Sequence, residues 1–156
     1  MAHGADDSSL PVYLAVPFKL SLPASLEERL AGLGSAIADA APDVDFAYLF
    51  GSTVEGRRTT RSDVDLAIHL AGNADSHRVR LDIARAAAKH LGTDAIDVVV
   101  LNSAPLSLAG RVLTSRRVVL DRAPFARHRY ESLTARMFQD FRLREHRLLT
   151  QRYPHG

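Results

Sequence analysis

Phe50-Gly51-Ser52, ten residues, then Asp63-Val64-Asp65-Leu66-Ala67-Ile68-His69-Leu70 is the stretch that decides how this chain folds. Val64, Leu66, Ile68 and Leu70 alternate with Asp63, Asp65, Ala67 and His69, a period of two held over eight residues. That period marks a β-strand with one apolar face and one face free for chemistry. Asp63 and Asp65 project from the same face, their Cα atoms roughly 7 Å apart. A second, β-branched strand is predicted over Ile96 to Leu101, and it carries Asp97 between Ile96 and Val98. If the two strands are neighbours, Asp97 lies beside the first pair of acids. Three carboxylates on one face repel one another strongly unless a cation joins them. Such a set suits one Mg²⁺ or a pair of ions. The glycine of Gly51-Ser52 lets backbone N–H groups approach a phosphate, and the serine adds a hydroxyl. A phosphate-holding turn upstream of metal-binding acids points to chemistry on a nucleoside triphosphate.

Outward from that centre the chain alternates helical and strand patterns. Leu26, Leu30, Leu33 and Ile37 predict one helix from Ser25 to Pro42, with Glu27 and Glu28 in its first turn. Asp45 to Phe50 reads as a buried strand that stops at Gly51-Ser52. Asn73 or Asp75 caps a helix that ends at Gly92, with Leu81, Ala84, Ala88 and Leu91 on its apolar face. Pro105 starts a short helix to about Thr114, Arg117 to Leu120 forms a short strand, and Pro124 opens a long polar helix to Arg152. Tyr13 to Phe18 reads as an edge strand and residues 1–10 as a disordered leader. The alternation predicts an α/β (α+β) domain with helices packed on a small mixed sheet. Residues 11–122 form the domain, and 123–156 add a basic helix packed on it.

Composition narrows the class. At 156 residues the chain suits one compact domain. It has no cysteine, which excludes disulfides and thiolate metal sites and fits a reducing cytoplasm. No apolar run approaches the roughly 20 residues of a membrane span. The net charge of +2 is unevenly spread: from Arg111 to Arg152, eleven arginines against four acids leave +7, so the remainder carries −5. That basic segment is either a solvated helix or a surface for an acidic partner.

Gly51-Ser52, ten residues, Asp63-x-Asp65 and then a third Asp resembles the DNA polymerase β-like nucleotidyltransferase superfamily. The chain's small size is similar to its minimal nucleotidyltransferases, the MNT antitoxins encoded beside HEPN ribonuclease toxins. The resemblance is firm from Phe46 to Leu101 and looser over Leu106 to Phe141. It implies that Gly51 and Ser52 hold the triphosphate of ATP. It implies that Asp63, Asp65 and Asp97 are the catalytic metal ligands for two Mg²⁺ ions, with Asp97 also helping to deprotonate the incoming hydroxyl. The implied acceptor is a tyrosine of the HEPN toxin, whose adenylylation silences it. Val54-Glu55 departs from the small-then-basic pair common before the second glycine, and Glu55 disfavours triphosphate unless it points away.

Other signals are weighed beside that reading. Arg122, five residues, then His128-Arg129-Tyr130 has the active-site spacing of HEPN toxins, but their all-helical bundle conflicts with the strands predicted here. His69 reads as a half-exposed strand histidine and Tyr48 as core. Tyr130 and Tyr153 read as packing residues, and His146 and His155 show no metal-ligand spacing. Arg57, Arg58 and Arg61 lie between the glycine turn and the acids, mostly as solvated charges. Two further functions remain open: an antitoxin that masks its toxin by complex formation alone, and a small-molecule nucleotidyltransferase of the aminoglycoside type. The second would need a larger helical substrate domain than the 34 residues after Arg122 provide. RNA contact is not favoured.

Overall fold

The computed structural model describes residues 26–57, 59 and 62–152. The leader and edge strand proposed before residue 25, together with Arg58, Arg61, Tyr153 and His155, lie outside the described residues. The elements run α1 (Leu26–Leu30), α2 (Leu33–Ala40), β1 (Val44–Phe50), α3 (Ser52–Glu55), β2 (Val64–Leu70), α4 (Ser76–Leu91), β3 (Ile96–Val100), a 3-10 turn (Leu101–Ser103), α5 (Leu106–Thr114), β4 (Arg117–Asp121) and α6 (Pro124–Arg152). The sheet order is β3-β2-β1-β4. β1 pairs antiparallel with β2 and β4, whereas β2 and β3 run parallel. A parallel pair needs a crossover, and α4 supplies it. The predicted α/β architecture with a mixed sheet and a closing helix is the one observed.

Alternation along the two central strands gives the sheet two covered faces. Val44, Ala47 and Leu49 of β1 and Val64, Leu66, Ile68 and Leu70 of β2 join Leu26, Leu33, Ile37, Ile83 and Leu91 in the larger core. Phe46 and Tyr48 of β1 and Ala67 of β2 meet Leu101, Val112 and Leu113 in a smaller one, with Tyr130 packed against it. Asp65 and His69 share the face of Ala67, so the acids open toward α5 and α6.

Two helix readings need correction. The helix predicted from Ser25 to Pro42 is broken into α1 and α2 by a turn at Ala31-Gly32. His90 of α4 occupies the space beside Gly32, where an added Cβ would stand 2.9 Å from its ring. His90 Nε2 donates to the Arg29 carbonyl at 2.8 Å, capping α1 from outside. All four predicted leucine and isoleucine positions are nevertheless buried. In α4 the buried row is Val79, Ile83, Ala87 and Leu91, spaced by four. Leu81, assigned to the apolar face from sequence, is 41% exposed. The alanine run Ala86-Ala87-Ala88 supports two overlapping apolar rows, and only docking chooses between them. Asp75, not Asn73, caps α4, accepting from the backbone N–H groups of His77 and Arg78 at 3.1 Å each.

The HEPN-like spacing dissolves in the fold. Arg122 is a structural cap: its guanidinium donates to the carbonyls of Ala38 at 2.6 Å, Ala41 at 3.0 Å and Pro42 at 3.1 Å. It thereby satisfies carbonyls at the C-terminal end of α2. Tyr130 packs against the rings of Phe46 and His69, with centroids 5.8 and 5.4 Å away. His69 stacks on Phe46 at 4.6 Å and pairs with Asp45 at 3.1 Å, so its place is structural and partly covered.

Candidate active site

β1 and β2 are registered so that Phe50 stands opposite Asp65. The chain leaves β1 at that point, and Gly51 turns over the Asp65 carboxylate. Gly51 has φ +68° and ψ −149°, a region closed to side-chain-bearing residues in practice. A Cβ there would also stand 2.5 Å from Asp65 Oδ2. Glycine is therefore required twice, by backbone conformation and by space. Ser52 follows as the first residue of the one-turn helix α3.

On the other side of β2, Asp65 and Asp97 are register partners in the parallel β2–β3 pair. Parallel partners share a face about 4.8 Å apart, so the third acid stands beside the second. Asp63 sits immediately before β2 and is half-buried, as is Asp65, while Asp97 is exposed. Burial raises the pKa of Asp65, the carboxylates of Asp97 and Asp63 raise it further, and Arg111 opposes them. The expectation that the two strands are neighbours therefore holds, with Asp97 beside Asp65, while Asp63 lies one residue before the paired segment. As the side chains stand, no three acidic or histidine side chains among the described residues gather closely enough to enclose one ion. The donor set nonetheless fits a hard divalent cation: oxygen ligands only, excess negative charge, and a raised Asp65 pKa that a cation would reverse.

Gly51, Ser52, Asp65 and Asp97 line one cleft of about 730 Å³, within the range of small-ligand sites. Glu55 lines it too, but it forms an ion pair with Arg57, which offsets its charge. Three contributors escaped the sequence reading. Arg111 of α5 and Arg142 of α6 line the cleft, and Ser115 at the end of α5 accepts a hydrogen bond from the Gly51 N–H at 3.3 Å. Arginine richness in the C-terminal segment was the available signal. Which arginines face the acids depends on how α5 and α6 cross the sheet. That crossing is set by Gly110, where any Cβ would overlap the Phe138 ring of α6.

The family model described as "Polymerase beta, Nucleotidyltransferase" matches residues 35–125, which span β1 through β4. The chain belongs to the polymerase β nucleotidyltransferase family. It is accordingly a nucleotidyltransferase, and the matched region holds the cleft residues from Phe50 to Ser115, while Phe138 and Arg142 of α6 lie beyond it. Among solved structures it is similar to one chain of a toxin–antitoxin crystal structure with AMP-PNP, at 26% identity and TM-score 0.62, covering 80% of this chain and 96% of that one. It also shares its fold with a chain of a tri-AMPylated Shewanella oneidensis HEPN toxin in complex with MNT antitoxin, at 22% identity and TM-score 0.61, covering 81% and 97%. A chain of the MntA–HepT toxin–antitoxin structure aligns at 22% identity and TM-score 0.60, covering 80% and 97%. No curated protein matches the sequence significantly.

Proposed function

We propose that this nucleotidyltransferase moves AMP from ATP onto a tyrosine of a HEPN ribonuclease toxin, and so acts as the toxin's antitoxin in the cytoplasm. One observation carries the reading: the Asp65–Asp97 register pair stands beside a glycine turn that only glycine can make. The toxin–antitoxin structures of the same fold support the choice of acceptor, one of them holding AMP-PNP and another an AMPylated toxin. No described helix is long and apolar enough to cross a membrane.

In this reading Gly51 and Ser52 hold the triphosphate, and Asp63, Asp65 and Asp97 are the ligands for two Mg²⁺ ions. When bound, Mg²⁺ supplies Lewis-acid polarisation of the phosphates and offsets the charge of the three acids. The acceptor oxygen forms a bond to the α-phosphorus, the bond from that phosphorus to the β-phosphate bridge breaks, and pyrophosphate leaves. Asp97, exposed at the mouth of the acidic set, takes the hydroxyl proton. Asp65 holds its position because β2 is paired on both sides.

The test mixes the chain with the product of its genomic neighbour, MgCl₂ and ATP labelled at the α-phosphate. Label should appear on the neighbour and vanish when its tyrosine is replaced by Phe. No transfer under any nucleotide or divalent metal sinks the proposal. A masking antitoxin is the second reading, favoured by the exposed Leu133, Met137, Phe141 and Leu148 along α6. Asp63→Asn with Asp65→Asn separates the two, since masking survives the loss of both carboxylates.

A further inference from the structure

Six charged side chains line the cleft: Glu55, Asp65, Asp97, Arg57, Arg111 and Arg142. Glu55 and Arg57 offset each other in an ion pair. That leaves Arg111 and Arg142, which come from different helices and make no ion pair with any described residue. Both residues are exposed and line the cleft, and Arg111 stands near enough to Asp65 to act on its ionisation. Of the eleven arginines in this basic segment, Arg116 and Arg127 bind Glu131 and Arg122 caps α2, and only Arg111 and Arg142 line the cleft. The end of α5 is also tied to the glycine turn by the Gly51–Ser115 hydrogen bond.

We infer that Arg111 and Arg142 are the binding residues for the β- and γ-phosphates of the triphosphate, so that α5 and α6 close the nucleotide site opposite the acids. The inference rests on the nucleotidyltransferase reading of this cleft and adds residues to it. A polyphosphate tail carries up to four negative charges, which the acids repel and the backbone turn alone does not balance. Guanidinium is the side chain best matched to phosphate oxygens, through paired charge-assisted hydrogen bonds. Neither group is tied up in an ion pair with a described residue, so both are free to turn toward a phosphate. An alternative role for Arg111, simple charge balance for the acids, differs in its prediction for phosphate: removing the cation then tightens divalent-ion binding but leaves tripolyphosphate affinity alone.

The experiment titrates the full chain with sodium tripolyphosphate and with AMP-PNP, both with MgCl₂, and separately with Mn²⁺ alone. Arg111→Gln and Arg142→Gln should each weaken tripolyphosphate about tenfold, and Arg111→Lys should recover part of the loss. Mn²⁺ affinity should not weaken in either variant, and thermal melts should match the parent because both side chains are exposed. Tripolyphosphate affinity within twofold of the parent in both variants overturns the inference. So does a loss in Arg111→Gln that Arg111→Lys does not relieve at all. If the unaltered chain binds neither tripolyphosphate nor AMP-PNP, the inference falls together with the reading beneath it. If the unaltered chain binds both and the variants are silent, the inference alone falls.

Discussion

Two carboxylate clusters sit on the same face of the sheet and are built in opposite ways. Around Glu131 every charge has a partner. Arg116 donates twice to its carboxylate, at 3.0 and 3.1 Å, Arg127 once at 3.0 Å, and the Tyr48 hydroxyl once at 2.8 Å. Burial pushes its pKa up, but the hydrogen bonds from Arg116, Tyr48 and Arg127 outweigh it and hold the carboxyl down to about 2. Around Asp65 burial and two further carboxylates act in one direction, with Arg111 opposing. The first cluster is finished by the fold and ties α6 to β1. The second is left unfinished, as a site that takes a cation is. Charge imbalance, more than the mere presence of acids, separates the candidate site from the structural cluster.

The difference can be broken most directly by neutralising the unfinished cluster. Asp65→Asn or Asp97→Asn should reduce nucleotide transfer by about a thousandfold or more while leaving the melting temperature unchanged or higher, because a like charge is removed. A variant that melts lower and still transfers would reverse the assignment of the two clusters. Gly51→Ala comes next. It forces a Cβ against Asp65 in a backbone region that alanine rarely enters, and should cost at least about a hundredfold in transfer. Measured initial rates with saturating nucleotide would check both.

For the finished cluster the expected loss is in stability. Glu131→Gln should destabilise the fold by on the order of 3 kcal/mol at neutral pH, read by urea unfolding, since it leaves two partly covered arginines short of a charge. The pH dependence has a definite sign. Glu131 has a depressed pKa in the fold, so its contribution is complete above the unfolded value of about 4.5 and fades as pH falls toward 2. Asp65 runs the other way: its raised pKa means that ionisation costs stability, and the cost disappears on acidification. Unfolding free energies between pH 6 and 3 should therefore fall more steeply in Asp65→Asn than in the parent, and less steeply in Glu131→Gln. The smallest effect sharpens the picture: Tyr48→Phe removes one donor of four and should cost about 1 kcal/mol.

Much of this was legible in the chain. The alternation of Val64 to Leu70 gave the strand and placed Asp63 and Asp65 on one side of it. The capped, glycine-terminated pattern from Asp75 to Gly92 gave α4, although its buried row was read from the wrong alanines. Leu26 to Ile37 was read as a single helix, because its spacing is helical throughout and nothing local announces that His90 fills the space beside Gly32.

The sequence by itself determined the elements, the faces of each strand and the kinds of side chain available, because backbone periodicity ties residue spacing to direction. Only the tertiary structure decided which distant groups meet. Asp65 meets Asp97 through the β2–β3 register, Gly51 meets Ser115 across 64 residues, and Tyr48 meets Glu131 across 83. Those meetings depend on how whole helices dock on the sheet, at contacts such as Gly110 against Phe138. A docking angle is set by the sum of many packed surfaces, and no short stretch of residues carries it.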